Sequence, residues 1–411
     1  MQKYIFCVIC ARYLLILCRF SMMREYLLLI IAFLLCSCSR KEAPVTTPWG
    51  TTVGDESEEP QRDYFSLADI QTNGELIMLT LTGPTTYYDY HGRGLGTQFL
   101  LCERFAQQIG VGLRVEVCKD TAELVSRLRR GDGDIAAFQL PRKMGGVDFC
   151  GVRVDSLHTS WAVARGNTEL ADTLNRWFRP GMIAQVEQEE AFLLSARSIR
   201  RHVFSPMLDR GKGIISRYDH LFQQYAPAAR MDWRLMAAQC YQESCFDERA
   251  RSWAGACGLM QIMPSTADHL GLPRASLYDP ESNIAAVAKY MAELGQLFRD
   301  VENPQERINF QLASYNGGHH HIRDAMALAR KYGRNSRRWG DVAEFVRKLS
   351  QPQYYNDPVV RYGYMRGSET ADYVDRIRVR WMQYRGFAPM GRGSTGGGEP
   401  RRAKRKYRFH V

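Results

Sequence analysis

Glu243 stands in Cys240-Tyr241-Gln242-Glu243-Ser244, just past a segment in which Trp233, Met236, Ala237, Cys240 and Tyr241 fall on one helical face. That spacing predicts a helix packed inward, with Glu243 near its C-terminal end. A carboxyl there meets the negative end of the helix dipole and apolar neighbours, and both raise its pKa. A glutamate near 4.3 is protonated about 0.2% of the time at pH 7, and one near 6 about 10%. Such a proton is what acid-catalysed cleavage of a glycosidic bond requires. A glutamate at a helix end is also an ordinary surface charge, so the neighbouring motifs decide. Gly258-Leu259-Met260-Gln261-Ile262-Met263-Pro264 follows a run of small residues that allows close backbone approach. Gln261 offers a donor and an acceptor. Met260 either lies under a ligand ring or fills core. In Tyr315-Asn316-Gly317-Gly318, the Tyr315 hydroxyl can reach the carboxyl while its ring walls a groove, and Asn316 is either a ligand contact or a helix cap. Glu369-Thr370 with Tyr373-Val374 reads as a last contact motif or a capped helix start.

The ordered pieces Gln242-Glu243-Ser244, Gly255 to Pro264, Asp279-Pro280 with Asn283-Ile284, Lys289-Tyr290, Ala313 to Gly318 and Glu369-Thr370 resemble the soluble lytic transglycosylase (lysozyme-like) family over roughly Ile214 to Tyr384. Departures are Val287, Ser314, Cys245 and Cys257. The resemblance implies that Glu243 protonates the oxygen between N-acetylmuramic acid and N-acetylglucosamine in peptidoglycan. The same group then takes a proton from the muramoyl C6 hydroxyl, and a 1,6-anhydro end forms. It also implies substrate contacts at Ser244, Gly258, Leu259, Met260, Gln261, Tyr315, Asn316, Glu369 and Tyr373, with no cofactor and no metal. His319-His320-His321 invites a metal reading, but three consecutive imidazoles do not easily converge on one ion. Asp247 and Glu248 leave open a hydrolytic mechanism with two carboxylates.

Stepping outward from these residues, 73–180 alternates strand and helix patterns: Leu76 to Leu79, a helix from Leu95 to Ile109, Val111 to Val117, a helix from Thr121 to Arg130, and Ile135 to Phe138. Repeated β-α-β units predict an open, mostly parallel sheet. Gly74-Glu75-Leu76, Tyr87-Tyr88, Gly96, Phe105-Ala106, Gly133 to Ala137 and Ser160 to Val163 resemble the first lobe of the family 3 extracellular solute-binding proteins. Only a short stretch joins Leu140 to Ser160, so most of a second lobe is expected to be missing. Arg142 lies near the place of a ligand-carboxylate arginine in such proteins, but Pro141-Arg142-Lys143 matches it weakly and a solvated loop charge is the better reading. The fold class expected is α+β multidomain: a partial periplasmic-binding-protein-like α/β lobe, then a mainly α lysozyme-like domain. The divisions are 1–38 (over-long start and leader), 39–72 (flexible tether), 73–180 (truncated lobe), 181–210 (connector), 211–390 (catalytic domain) and 391–411 (disordered basic tail).

The 411 residues carry a net charge of +11, with 45% apolar and 24% charged side chains. That balance favours polyanionic partners such as wall polymer or anionic lipid. No RNA-binding or zinc-finger pattern accompanies it, so nucleic acid is not expected. Met22-Met23-Arg24, an apolar run and Leu35-Cys36-Ser37-Cys38 describe a secretory signal ending in a lipobox-like sequence, with Cys38 lipidated. A broken transmembrane anchor from Tyr4 is the alternative. The whole order resembles membrane-bound lytic murein transglycosylases of the F type. It implies a bacterial envelope protein, lipid-anchored in the outer membrane facing the periplasm, acting on peptidoglycan strands and sensing muropeptides through 73–180. Cys245 and Cys257 either bridge or serve as small buried apolar groups. A non-catalytic wall-binding or sensory lipoprotein and a muramidase-type hydrolase are the competing functions.

Overall fold

The computed structural model describes residues 64–387 and, before them, the backbone of two short strands, β1 (Val45–Thr46) and β2 (Thr52–Val53), which pair antiparallel. The chain divides into two compact units, Met1–Arg62 and Asp63–Val411. The leader, Cys38, most of the tether and the basic tail 391–411 lie outside the described residues. Among the described residues no helix is long and apolar enough to cross a membrane.

The expected tether ends before residue 72. Ser66 caps α1 (Leu67–Asn73): its hydroxyl accepts from the Asp69 amide at 3.2 Å, and the Asp69 carboxylate accepts from the Ser66 amide at 2.9 Å. Such a reciprocal box satisfies two otherwise orphaned N–H groups. Ile70 is buried, and the Tyr64 hydroxyl donates to the Gly166 carbonyl at 2.8 Å. The polar composition of the preceding stretch hid a helix that buries a single isoleucine.

The sheet is built from β3 (Glu75–Thr80), β6 (Gly112–Val117), β7 (Ile135–Pro141), β8 (Val147–Val154) and β9 (Thr159–Ala164), with a separate hairpin of β4 (Tyr88–Tyr90) and β5 (Arg93–Leu95). Its order is β6-β3-β7-β9-β8. β3 runs parallel to β6 and β7, whereas β9 runs antiparallel to β7 and β8. The sheet is therefore mixed, not mostly parallel. Only a short turn at Asp155–Leu157 joins β8 to β9, and parallel neighbours would need a crossover long enough for a helix. Side chains alternate between two cores. Met78, Ile135, Ala137, Trp161 and Val163 pack with α2 (Thr97–Gln108) and α4 (Thr168–Trp177), while Leu79, Ala136 and Ala162 pack with α3 (Thr121–Arg129). Arg142 pairs with Asp155 at 2.5 Å on an exposed loop, which fits the solvated-charge reading.

The expected connector is part of this body. Helix α5 (Gly181–Leu193) buries Val186 and Glu190, whose carboxylate accepts from the Tyr88 hydroxyl at 2.8 Å and the Gly96 amide at 3.1 Å. The Glu-Gln-Glu-Glu run carries no local sign of burial, because the buried hydroxyl that meets Glu190 lies far away in sequence.

The helical region contains α6 (Asp219–Tyr225), α7 (Trp233–Ser244), α8 (Pro264–Leu270), α9 (Pro280–Leu297), α10 (Pro304–Gly317), α11 (His319–Lys331), α12 (Trp339–Lys348), α13 (Pro352–Tyr355) and α14 (Gly367–Phe387) around one continuous core. α7 is buried from Trp233 to Cys240 on nearly every side, not on one face, because α6 and α14 both pack against it. The architecture is thus a mixed α/β sheet followed by a helical region, an α+β arrangement. The two regions meet through specific contacts: the Tyr364 amide donates to Thr82 Oγ1 at 3.0 Å, and the Tyr88 and Tyr364 rings lie edge to face at 5.0 Å. Ser66→Ala is expected to cost α1 about 1 kcal/mol, read as faster amide hydrogen exchange across 67–73 with the sheet amides unchanged.

Candidate active site

Helix α7 delivers Glu243 in its last turn and then stops abruptly. Cys245 and Phe246 both take left-handed backbone, with φ of 54° and 62°. The helix thus ends where its carboxylate enters a cavity of about 560 Å³, also lined by Gln261, Tyr315, Asn316, Glu369 and Tyr373. Tyr373, on α14, donates its hydroxyl to Glu243 Oε1 at 2.6 Å. Arg201 donates to the Glu243 backbone carbonyl at 2.8 Å. Burial pushes the Glu243 carboxyl up, and the Tyr373 hydrogen bond, His91 and Arg201 pull it back, leaving it at about 7. A group at that value is protonated about half of the time at neutral pH.

The tyrosine roles differ from those expected. Tyr315 does not bond the Glu243 carboxyl; its hydroxyl donates to the Met260 carbonyl at 2.6 Å, while the residue still lines the cavity. Tyr373 holds the carboxyl instead. Which tyrosine reaches it depends on how α10 and α14 pack on α7, a tertiary matter that motif order does not encode.

The segment from Cys257 to Ile262 is a tight loop closed by reciprocal backbone bonds of 3.0 Å. Gly258 has φ of 77°, and a Cβ there would lie 2.4 Å from the Leu277 carbonyl oxygen and 2.6 Å from Asn283 Nδ2. Only glycine fits. Asn283, fully buried, accepts from the Met260 amide at 2.9 Å and donates to the Leu277 carbonyl at 2.7 Å. Gln261, with φ of 50°, spends its amide nitrogen on the Ala250 and Gly258 carbonyls at 3.0 and 2.9 Å.

Four expected contact residues sit behind the wall. Ser244 is buried with its hydroxyl on the Cys240 carbonyl at 3.3 Å; Leu259 and Met260 are core; Gly258 is packed on Asn283. None lines the cavity, so they shape it rather than face a ligand. Asn316 accepts from the Thr370 hydroxyl at 2.7 Å, tying α10 to α14. All six cysteines of the described region are free and buried, Cys245 and Cys257 included. Asp247 accepts from the His202 amide at 2.7 Å and Glu248 from the Tyr218 hydroxyl at 2.7 Å, both away from the cavity.

Sequence reasoning missed the contribution of the α/β region. The β4–β5 hairpin turns through His91 and Gly92, with φ of 52° and 75°, as two-residue hairpin turns require. Its tip enters the cleft. Tyr90 donates to Glu369 Oε1 at 2.7 Å and stacks on Trp253 at 6.0 Å between centroids, with the ring planes nearly parallel. Burial raises the Glu369 carboxyl, but hydrogen bonds from His91 and Tyr90 and the charge of Arg366 outweigh it, and the net position is below the usual value. Two carboxyls in one cavity are thereby pushed apart: Glu243 toward the acid, Glu369 toward the anion. The aromatic-rich Tyr87-Tyr88-Asp89-Tyr90-His91-Gly92 was the available signal.

Asn283→Ala would strand buried groups of three loop residues and is expected to cost about 2–4 kcal/mol, seen as a lower denaturation midpoint. Glu243→Gln should behave oppositely. The folded carboxyl has a raised pKa, so wild type loses stability as the pH rises from about 4.3 to about 7 and carries the full cost above that, whereas wild type and variant are alike below about pH 4.3. The variant should gain about 2 kcal/mol at pH 8 and nothing at pH 4, measured by denaturant titration at both values.

Residues 220–337 match the transglycosylase SLT domain family. A membrane-bound lytic murein transglycosylase F of Maricaulis maris (strain MCS10) is 29% identical over 428 residues, covering 79% of this chain and 92% of that one. Its counterpart in Enterobacter sp. (strain 638) is 27% identical over 424 residues, covering 76% and 79%. Among solved structures, the 70 kDa soluble lytic transglycosylase of Escherichia coli is 26% identical over 41% of this chain and 24% of its own, with a TM-score of 0.28. Residues 220–337 of this chain thus carry the SLT domain, with the buried Glu243 carboxyl and the Gly258 loop inside it, and the chain as a whole is similar to the membrane-bound lytic murein transglycosylases F.

Proposed function

We propose that the chain cleaves the β-1,4 bond between N-acetylmuramic acid and N-acetylglucosamine in peptidoglycan and leaves 1,6-anhydromuramoyl ends. One observation carries the reading: Glu243 is held at about 7, beside a cavity, by burial opposed by a single strong hydrogen bond. Protonated Glu243 donates to the leaving glycosidic oxygen. The resulting carboxylate, steadied by the Tyr373 hydroxyl, accepts the proton of the muramoyl C6 hydroxyl as that oxygen attacks C1. The proton count returns to its start, and water takes no part. One group near neutrality serves both steps, since a stronger acid would be a poor base and a weaker acid a poor donor.

A two-carboxylate hydrolase needs a second carboxylate free to activate water. Asp247 and Glu248 lie outside the cavity, and Glu369 is engaged by Tyr90 and His91. The cyclising mechanism is therefore favoured. The finer reading of the architecture belongs here too. A lysozyme-like helical domain follows a truncated solute-binding lobe. The Maricaulis alignment supports the truncation, being longer than this entire chain. Peptidoglycan binding at the cavity, a lipid anchor at Cys38 in the outer membrane and a muropeptide ligand for the α/β region complete the proposal.

Mass spectrometry of digested murein should find anhydromuropeptides with wild type and none with Glu243→Gln; reducing ends would favour a hydrolase. The alkaline limb of kcat/KM should have its midpoint near pH 7. Because Tyr373 stabilises the ionised form, Tyr373→Phe should move that midpoint upward and lower kcat about 10- to 100-fold.

A further inference from the structure

His319-His320-His321 opens α11 without any part in the chemistry described above. The three rings have different surroundings. His321 is largely buried, and burial together with its neighbour His320 pushes it down to about 4, so it is neutral. His320 is exposed but lies between two rings, with His319 at 3.9 Å and 38° on one side and Tyr362 at 4.1 Å and 23° on the other. Tyr362 is itself 48% exposed.

An exposed tyrosine usually moves, but this one stands on a fixed loop. The Asp324 carboxylate accepts from the Arg361 and Tyr362 amides at 3.1 and 2.8 Å. Two residues on, the Tyr364 amide donates to Thr82 of the α/β region. Between them Gly363 has φ of 73° and sits where a Cβ would lie 2.4 Å from Thr82 Cγ2. The loop is thus anchored from the helical region and from the sheet region. A ring fixed in advance loses little entropy when something stacks on it.

The pair borders a second cavity, of about 370 Å³, whose wall includes His320, His321, Tyr362, Tyr290, Met365 and Ser314. That cavity shares Tyr90, His91, Tyr315, Asn316 and Glu369 with the one holding Glu243, so the two form one groove. Flat aromatic faces suit a ligand whose own faces are C–H-rich and uncharged while its edges carry hydroxyl and amide groups. A pyranose ring has that build. We infer that Tyr362, backed by the His320 ring, forms a stacking platform for a further sugar of the same glycan strand, on the Gly317–Gly318 side of the cut. The inference rests on the proposed function and adds to it a length-dependent subsite made by residues outside the SLT motifs. The contact is expected to reduce KM for long strands and to be absent for fragments too short to reach it.

The test uses the full chain and glycan strands whose stem peptides have been removed, compared with the shortest fragment still cleaved. Tyr362→Ala and His320→Ala should each raise KM on long strands about 3- to 10-fold, with the loss carried by KM rather than kcat and no change on the short fragment. Tyr362→Trp should restore the KM. Tyr332→Ala, an exposed tyrosine stacked on Phe345, should leave it unaltered. Equal KM values on long and short substrates would overturn the inference. So would an effect seen only with stem peptides attached, which would make the platform a peptide contact. Binding is read separately in Glu243→Gln by NMR of the His320 ring titrated with N-acetylglucosamine oligomers. Shifts that require longer oligomers support the platform even if wild type proves to release no anhydro ends; an unmoved ring sinks it.

Discussion

A carboxyl group that must donate and then recover a proton at neutral pH cannot be left in water, where it is almost wholly ionised. The placement of Glu243 answers that constraint. Helix α7 is buried almost all round so that its last turn emerges inside protein rather than on the surface. The left-handed residues Cys245 and Phe246 end it before the carboxyl is carried outward. Tyr373 supplies one hydrogen bond, enough to keep the charged form accessible without making it dominant. Loops, glycines and the long helix α14 are arranged around that balance.

The Gly258 loop illustrates how a motif can be necessary without touching a ligand. Its residues are fixed by polar bonds to Asn283, by sterics at Gly258 and by the hydroxyl of Tyr315. The apolar members Leu259 and Met260 anchor the loop in the core, leaving Gln261 and its neighbours to line the cavity. Shape is held by buried groups, and Gln261, Ile262 and Met263 are the loop members that line the cavity.

Local features were legible in the sequence. The helix ending at Glu243 and the strand at 135–138 each follow from neighbours within a turn or two, whereas the need for glycine at 258 comes from Leu277 and Asn283, far along the chain. What failed was long-range. The choice of Tyr373 over Tyr315 depends on helix packing. The antiparallel half of the sheet depends on a turn whose shortness was visible but whose strand β8 was not recognised. The capped helix α1 lies inside a polar stretch whose composition masks it, and the burial of Glu190 has no local signal because its partner Tyr88 is far away in sequence. Above all, the entry of Tyr90 and His91 into the cleft could not be inferred from a hairpin lying so far from Glu243.

That hairpin tip makes the ionisation of Glu369 the joint property of two halves of the chain. A fragment limited to the helical half would keep every SLT motif yet strip two donors from that carboxyl, and its acidity would weaken. The smallest piece that reproduces the native charge pattern is therefore larger than the smallest piece that carries the family signature.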